Sequence, residues 1–436
     1  MQFDTAACYK KNSMRILLIN GVYGYASTGT IVRDIQILCE QQGIECYVAF
    51  SKTNIPTNQL HNGYQIGKTW EKKLHAILCR INGRQAYFSH IATKKFIKYI
   101  DQIKPDVVHL HTLHGNYINL PMLLHYLSQK HIRTIVTMHD CWYYTGGCFH
   151  YTQVGCLRWQ EQCGNCPKKK GDTPAFFIDK SRQILVDRKR LFDAIQNLTI
   201  TGVSQWICEE AKKGIFKDKR IITINNGIDT NIFKPTRIQN IEHSESLKKL
   251  EYSLKGNYII MGLATKWLDP INRDAFCFIL SQMQSDERFL IFGCDDTKLS
   301  LLMSLNLRHE QMKKIVTFGY TTNRQQLAAL YTIADVFINC THEESFSLIN
   351  IEPQACGTPV VTYSNTGAQE TVDNKCSYGV VTGDYVSLWE KVQIIRRNTK
   401  RRYSEDCIRW VKDNFEMQDN YHKYINLYTN IEDDNI

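Results

Sequence analysis

Glu344-Ser-Phe-Ser-Leu-Ile-Asn-Ile-Glu352 sits directly after an apolar run, Val336–Ile338, and leads into a segment with helical spacing that ends near Ala355. The pattern reads as a strand, a loop and a helix start, the unit from which parallel α/β sheets are built. Two glutamates eight positions apart on one helix would be about 12 Å apart along its axis. That reach suits one carboxylate at a sugar ring and the other at a ribose. Between them, the N–H groups of Ser345, Phe346, Ser347 and Leu348 would lie at a helix N-terminus, which favours a diphosphate. The plainer reading is a helix whose acidic start is stabilised by its own dipole.

The same alternation extends in both directions. Arg15–Asn20, Cys46–Phe50, Val107–Leu110, Thr134–Met138, Leu198–Thr201 and Ile221–Ile224 read as buried strands, mostly separated by helical segments. Thr30–Gln42 has helical spacing and stops at Gly43, a natural C-cap. The pattern restarts with Tyr258–Leu263, Phe289–Phe292, Ile315–Phe318, Val336–Ile338 and Val360–Tyr363, and Ser404–Tyr428 reads as wholly helical. Between the two series, Thr236–Lys255 is polar and carries no strand signal. The expected fold is therefore α/β, with two Rossmann-like doubly wound domains facing a cleft. The expected boundaries are an N-terminal extension at 1–13, a first domain at 14–238 with a Cys-rich insert at 141–170, and a linker at 239–256. A second domain at 257–403 and helices at 404–436 that return toward the first domain complete the chain. A length of 436 residues suits two cores.

Charge divides unevenly. Residues 1–235 hold 31 Lys+Arg against 17 Asp+Glu (+14), and residues 236–436 hold 22 against 26 (−4), matching the whole-chain +10. Much of the excess lies in 66–100, where Lys68, Lys72, Lys73, Arg80, Arg84, Lys94, Lys95 and Lys98 face only Glu71. Trp70, Leu74, Ile77, Leu78, Phe96 and Ile97 interleave with them. Two readings are open: a basic amphipathic segment on an anionic membrane surface, or a solvated helical face over a core. No nucleic-acid recognition motif accompanies the charge. No run is long and apolar enough to span a bilayer and the N-terminus lacks an apolar signal core, so a cytoplasmic protein is expected. Sixteen cysteines in a reducing compartment should be thiols or metal ligands.

Several motifs together resemble the retaining GT-B glycosyltransferases of family 4. The Glu344-x7-Glu352 spacing matches their signature, Cys356-Gly-Thr-Pro-Val-Val is like their turn and strand, and Asn225-Asn-Gly-Ile-Asp229 is like the close of their first domain. Asn365-Thr-Gly-Ala-Gln-Glu370 is similar to their donor-side loop, with Gln369 in place of a proline, and Ser204-Gln-Trp206 resembles their Ser-x-Trp. The first half resembles the colanic-acid and capsule-type members through His109-Leu-His-Thr-Leu-His-Gly-Asn-Tyr-Ile-Asn119, Thr137-Met-His-Asp-Cys-Trp142 and Thr145-Gly-Gly-Cys148.

That resemblance implies a hexosyltransferase-type enzyme that moves a sugar from a nucleotide-sugar to a saccharide or polyprenyl-diphosphate-linked acceptor, for capsule or other surface polysaccharide. It implies catalytic roles for Glu344 and His139, and donor contacts from Glu352, Lys266, Ser345, Phe346, Ser347, Leu348 and Glu370. It places Gly24, Gly29, Thr30 and Asp140 on an acceptor or phosphate loop, with no catalytic metal. Such glycines let backbone approach a phosphate, although a tight strand-to-helix turn needs them equally. Cys148-x7-Cys156-x6-Cys163-x2-Cys166 reads as a structural zinc site or as free thiols, with Cys141 a fifth candidate. One departure stands out. Pro270, Ile271 and Asn272 occupy the place of the family's Arg-Lys-Gly, leaving Lys266 or Arg273 to meet the diphosphate. A degenerate binding protein and a GT-B nucleotide-sugar epimerase are the rival readings.

Overall fold

The computed structural model describes residues 14–429 apart from Thr173, His243 and Asn365. The expected extension at 1–13, the tail beyond 429 and Asn365 of the donor-side loop lie outside the described residues. The chain forms two compact units. Unit 1 comprises the residues up to Val203, Ile207–Ile224 and Tyr421 onward, and unit 2 comprises Ser204–Trp206 and Asn225–Asn420.

Unit 1 is built on seven strands: β1 (Arg15–Tyr23), β2 (Glu45–Thr53), β3 (Gly63–Gln65), β4 (Val107–Leu110), β5 (Arg133–Met138), β6 (Leu198–Gly202) and β7 (Ile221–Thr223). They pair in the order β3-β2-β1-β4-β5-β6-β7, all parallel. Ile16, Leu17, Leu18 and Ile19 have no solvent exposure, as expected for a central strand covered on both faces. The strand order reverses between β1 and β4, and the carboxyl ends of these two strands are where a doubly wound sheet places ligands.

Unit 2 repeats the plan with β8 (Tyr258–Leu263), β9 (Glu287–Cys294), β10 (Ile315–Gly319), β11 (Val336–Asn339), β12 (Val360–Tyr363) and β13 (Tyr378–Val380). The order is β10-β9-β8-β11-β12-β13, again all parallel, with the reversal between β8 and β11. Trp267 anchors its core: the indole is edge-on to Phe289 at 5.2 Å and donates to the Ile338 carbonyl at 3.2 Å.

The sequence and the structure differ in four places. β3 and β13, each three residues long, are additional edge strands. The stretch read as a linker, 239–256, carries a helix, Glu245–Leu254, whose Leu247, Leu250 and Leu254 are buried in unit 2. Its apolar stripe is only three leucines wide, which is why composition alone read as polar. The final segment is two helices, Arg401–Phe415 and Met417–Thr429, interrupted where Glu416 bridges to Ile228. Arg401–Phe415 lies in unit 2, against the helix Leu348–Ala355, and only Tyr421 onward belongs to unit 1. Lastly, the helix after β11 begins at Leu348, so Glu344 lies on the loop before it and the two glutamates do not share one helix.

If Glu245–Leu254 is a packed element and not a tether, Leu247→Ala should lower stability by about 2–5 kcal/mol in denaturant unfolding of the full chain. A change within about 0.5 kcal/mol, normal for a solvated linker, would contradict the packing described.

Candidate functional site

The residues singled out in unit 2 converge on the reversal between β8 and β11. Asn339, the last residue of β11, is 1% exposed and its amide organises the loop that follows. Its Oδ1 accepts from the N–H of Thr341 at 3.1 Å and from that residue's hydroxyl at 2.6 Å. Its Nδ2 faces Glu344 Oε2 at 3.3 Å, Ser347 Oγ at 3.2 Å and Asn350 Oδ1 at 2.9 Å. Asn350 passes the network on to Thr362 at 3.3 Å and Thr371 at 2.9 Å. Thr366 closes the loop from the other side, accepting from the Glu344 N–H and donating to its carbonyl at 2.7 Å. Gly367 makes this closure possible, since a Cβ there would fall 1.9 Å from the Ser345 carbonyl oxygen.

Glu344 is thus held in place. Burial pushes its carboxyl above the usual range, while the Lys266 ammonium and the bonds from Ser347 and Asn339 act against that rise. Lys266 sits in the short helical turn Ala264–Trp267 that follows β8, so the two strands flanking the reversal contribute one cation and one carboxylate. Phe346 is buried edge-on to Phe415. Ser347 is buried and begins the helix Leu348–Ala355 without a side-chain cap, and that helix has no acidic residue in its first turn. The Ser345 hydroxyl is buried with no hydrogen-bond partner among the described residues. An uncapped helix start beside a partnerless buried hydroxyl and a lysine suits a phosphate.

Glu352 lies mid-helix and half-buried. Burial raises its carboxyl to about 7, against the Tyr331 hydroxyl, which donates at 2.9 Å, and the charge of Arg324. Glu370, expected at the donor, accepts from the backbone N–H groups of Gln205 and Trp206, both at 2.7 Å, with one carboxylate oxygen each. At the departure from Arg-Lys-Gly, Asn272 is 2% exposed and braces two loops. Its Nδ2 donates to the carbonyls of Lys266 at 3.0 Å and Cys340 at 3.1 Å, and its Oδ1 pairs with His342 at 3.0 Å. Arg273 is exposed at the start of the next helix.

In unit 1 the singled-out residues gather at the carboxyl ends of β1, β4 and β5. Asn20 joins them: its amide donates to the Val22 carbonyl at 2.8 Å and accepts from Thr112 at 3.0 Å. Gly24 has φ +79° and lies against Ile55, where a Cβ would clash. Gly29 falls inside the helix Ala26–Gln41, packed on Val22. Thr30 was expected on the loop. The structure places it in the first turns of that helix, its hydroxyl bonded back to the Ala26 carbonyl at 2.9 Å.

His139 Nε2 meets His111 Nδ1 at 3.1 Å, and Asp140 pairs with His114 at 2.9 Å while accepting from the Trp142 N–H at 2.8 Å. Burial holds His139 down at about 4, so its imidazole is neutral at pH 7. For Asp140, burial acts upward but His114 and the Trp142 N–H outweigh it, keeping the carboxylate ionised. His109 is structural: its ring nitrogens pair with Tyr428 Oη at 2.6 Å and Thr137 Oγ1 at 2.7 Å.

The insert at 141–170 is irregular apart from short 3-10 turns at Cys141–Tyr144 and Arg158–Gln160. Arg188, which the sequence did not suggest, holds it. Its guanidinium stacks 3.8 Å over Trp142 and donates to the carbonyls of Trp142 and Thr145. For Cys148, Cys156, Cys163 and Cys166 the sequence leaves a structural zinc or free thiols open. Among the described residues no three His, Cys, Asp or Glu side chains are grouped to hold a metal ion. Burial pushes the Cys163 thiol up, while the neighbouring Cys148 draws Cys166 below its ordinary range.

Two family models match, one on each half of the chain. The model described as Glycosyltransferase Family 4 matches residues 30–232, and that described as Glycosyl transferases group 1 matches residues 274–424. The capsular polysaccharide biosynthesis glycosyltransferase CapM of Staphylococcus aureus is 27% identical over 182 residues, 41% of this chain and 46% of CapM. D-inositol 3-phosphate glycosyltransferase of Mycolicibacterium smegmatis is 38% identical over 74 residues, 17% of each protein. The chain therefore matches less than half the length of these curated relatives. Among solved structures, Anabaena Alr3699/HepE in complex with UDP aligns over 95% of this chain and 99% of that one, at 12% identity and a TM-score of 0.64, a likeness of fold. With a family 4 region on its first doubly wound sheet and a group 1 region on its second, the chain belongs to the GT-B glycosyltransferases.

Proposed function

We propose that this protein transfers a sugar, with retention of anomeric configuration, from a nucleotide-sugar to a lipid-linked saccharide in capsule or other surface-glycan synthesis, working at the cytoplasmic face of an anionic membrane. The observation that carries the reading is the set at the β8–β11 reversal: Glu344 fixed by Asn339, Lys266 opposite it, and an uncapped helix start at Ser347–Leu348. The UDP in the HepE structure and the capsular role in CapM's name support a nucleotide-sugar donor and a surface-glycan product.

In this mechanism Glu352 accepts hydrogen bonds from the ribose hydroxyls. The N–H groups from Ser345 to Leu348, together with Lys266, take the diphosphate, whose charge grows as it leaves. Glu344 lies at the sugar and stabilises the positive charge that develops at the anomeric carbon. The acceptor attacks from the face the diphosphate leaves, and the departing phosphate oxygen takes the acceptor's proton, so no protein nucleophile is required. Within unit 1, His139 is neutral and offers a hydrogen-bonding group to a sugar, and the loop at Gly24 serves the acceptor. The competing reading, binding without turnover, draws on Pro270 and Ile271, which stand where the family carries its Arg and Lys.

In a thermal-shift screen against UDP-, GDP- and ADP-sugars, one donor should raise the melting temperature by about 2–4 °C, and Glu352→Ala should abolish the rise. With that donor, Glu344→Gln should lower kcat by about 10²–10³-fold with little change in donor KM, and product NMR should show the donor's anomeric configuration. Donor binding with no transfer to any saccharide or lipid-linked acceptor would decide for the binding protein.

A pH dependence follows from Glu352. Its carboxyl titrates near 7 in the folded protein against 4.5 as a free group. Between those values the folded state keeps a proton that the unfolded state releases, so this group's contribution to stability falls as pH rises from 4.5 to 7. Unfolding titrations should show that decline in the wild type and not in Glu352→Gln. Because the ribose needs the ionised form, donor affinity should rise as pH passes from about 6 to 8 in the wild type and stay flat in Glu352→Gln.

A further inference from the structure

We infer that the helix Thr69–Asn82, with the loop that abuts its C-terminal end, is the element by which unit 1 docks on an anionic lipid bilayer. This deepens the membrane-proximal part of the proposed function and rests on it for its purpose, but its test requires no turnover.

A surface helix ordinarily turns its apolar stripe inward. This one does the reverse. Trp70, Leu74, Ile77 and Ile81 recur at the spacing of a single helical face, and all four are exposed, at 57%, 47%, 53% and 50%. The inward face is carried by His75 and Cys79. His75 bonds Ser89 Oγ at 2.7 Å and meets Phe88 edge-on, and Cys79 Sγ donates to the Arg84 carbonyl. The helix is therefore fastened by a polar pair and a small thiol, with Leu78 half-buried, while Trp70, Leu74, Ile77 and Ile81 face water.

The patch continues past the helix. The Phe176 N–H donates to the Arg80 carbonyl at 2.8 Å, and Gly83, at φ +75°, lies against the Ile178 carbonyl so closely that a Cβ would fall 2.0 Å from it. These contacts bring Phe176, Phe177 and Ile178, exposed by 52%, 72% and 43%, beside the helix's end. A contiguous apolar surface of this kind on a folded unit marks an interaction site.

Charge selects the occupant. Exposed Lys73 and Arg80 belong to the same helix, exposed Lys68 immediately precedes it, and Lys169 Nζ donates to the Phe177 carbonyl at 3.0 Å. The acids nearby are engaged. Glu71 accepts from the Lys68 N–H, Asp172 accepts from Phe149 and pairs with Lys168, and Asp179 accepts from Cys166 and Ser181. Lys72 turns inward to the Ser51 carbonyl. An apolar face with Trp and Phe, rimmed by Lys and Arg, on a helix about 21 Å long suits the headgroup boundary of an anionic leaflet, with the helix lying in its plane.

The test is co-sedimentation of the full chain with phosphatidylcholine vesicles, either pure or containing about 30% phosphatidylglycerol. Binding is expected to the anionic vesicles and not to the neutral ones, and to weaken at high salt. The double variants Trp70→Ser/Ile77→Ser and Lys73→Glu/Arg80→Glu should each weaken it by about tenfold or more. Both should retain the wild-type melting temperature and donor-induced thermal shift, which separates this outcome from a failure of the donor reading. Absence of wild-type binding, or binding indifferent to both variants, would overturn the inference. So would lipid-free self-association in sedimentation velocity that Ile77→Ser abolishes, which would assign the face to a second copy of the chain.

Discussion

One buried amide sets the geometry of unit 2. Asn339 ends β11 where the sheet runs out of backbone partners, and a buried polar group there must be satisfied from the loops. Its side chain ties together Thr341, Glu344, Ser347 and Asn350, and Asn350 extends the tie to Thr362 on β12 and Thr371 in the turn beyond. A carboxylate on a free loop would spread over many rotamers. Glu344 does not, because Asn339 reaches its side chain and Thr366 holds its backbone. The cost of leaving any member of such a network unpaired is what makes it rigid.

The two units handle charge differently. Unit 1 buries its imidazoles without charge: desolvation pushes His109, His111 and His139 below the ordinary histidine range. The fixed charges among them are the Asp140 carboxylate, paired with His114, and the Arg188 guanidinium stacked on Trp142. Unit 2 buries carboxyls instead, and the same desolvation raises Glu344 and Glu352. In the proposed donor site the diphosphate's charge falls to Lys266 and the bare helix start, beside carboxyls that burial has pushed up.

The strands were legible because parallel strands covered on both faces read as continuous apolar runs, and Ile16–Ile19 or Val360–Val361 could be little else. β3 and β13 were not legible, being three residues long at the sheet edges, with too little burial to leave a pattern. Glu245–Leu254 was hidden by its polar background, although Leu247, Leu250 and Leu254 already carried the helical spacing. At the site, residue types were legible and partners were not. Nothing near Glu370 in sequence points to Gln205 and Trp206, and nothing near Thr30 reveals that the helix opens at Ala26 and claims its hydroxyl. Arg188 gave no sequence signal, because its partners are carbonyls and an indole more than forty residues away.

The exchange of Arg-Lys-Gly for Pro270-Ile271-Asn272 is more than a lost charge. Asp269 accepts from the Ile271 N–H at 3.1 Å and Pro270 opens a tight turn, which delivers the Asn272 amide to the carbonyls of Lys266 and Cys340. One side chain thereby couples the loop after β8 to the loop after β11 on the two sides of the reversal. A flexible basic pair would bring charge to a diphosphate and spend rotamer freedom in doing so. Asn272 brings no charge but fixes the backbone that carries Lys266, beside a Glu344 already fixed by Asn339. In the proposed donor site, a single cation on a braced turn meets the diphosphate with less ordering left to do at the moment of binding, so rigidity replaces part of what the missing charge would have contributed.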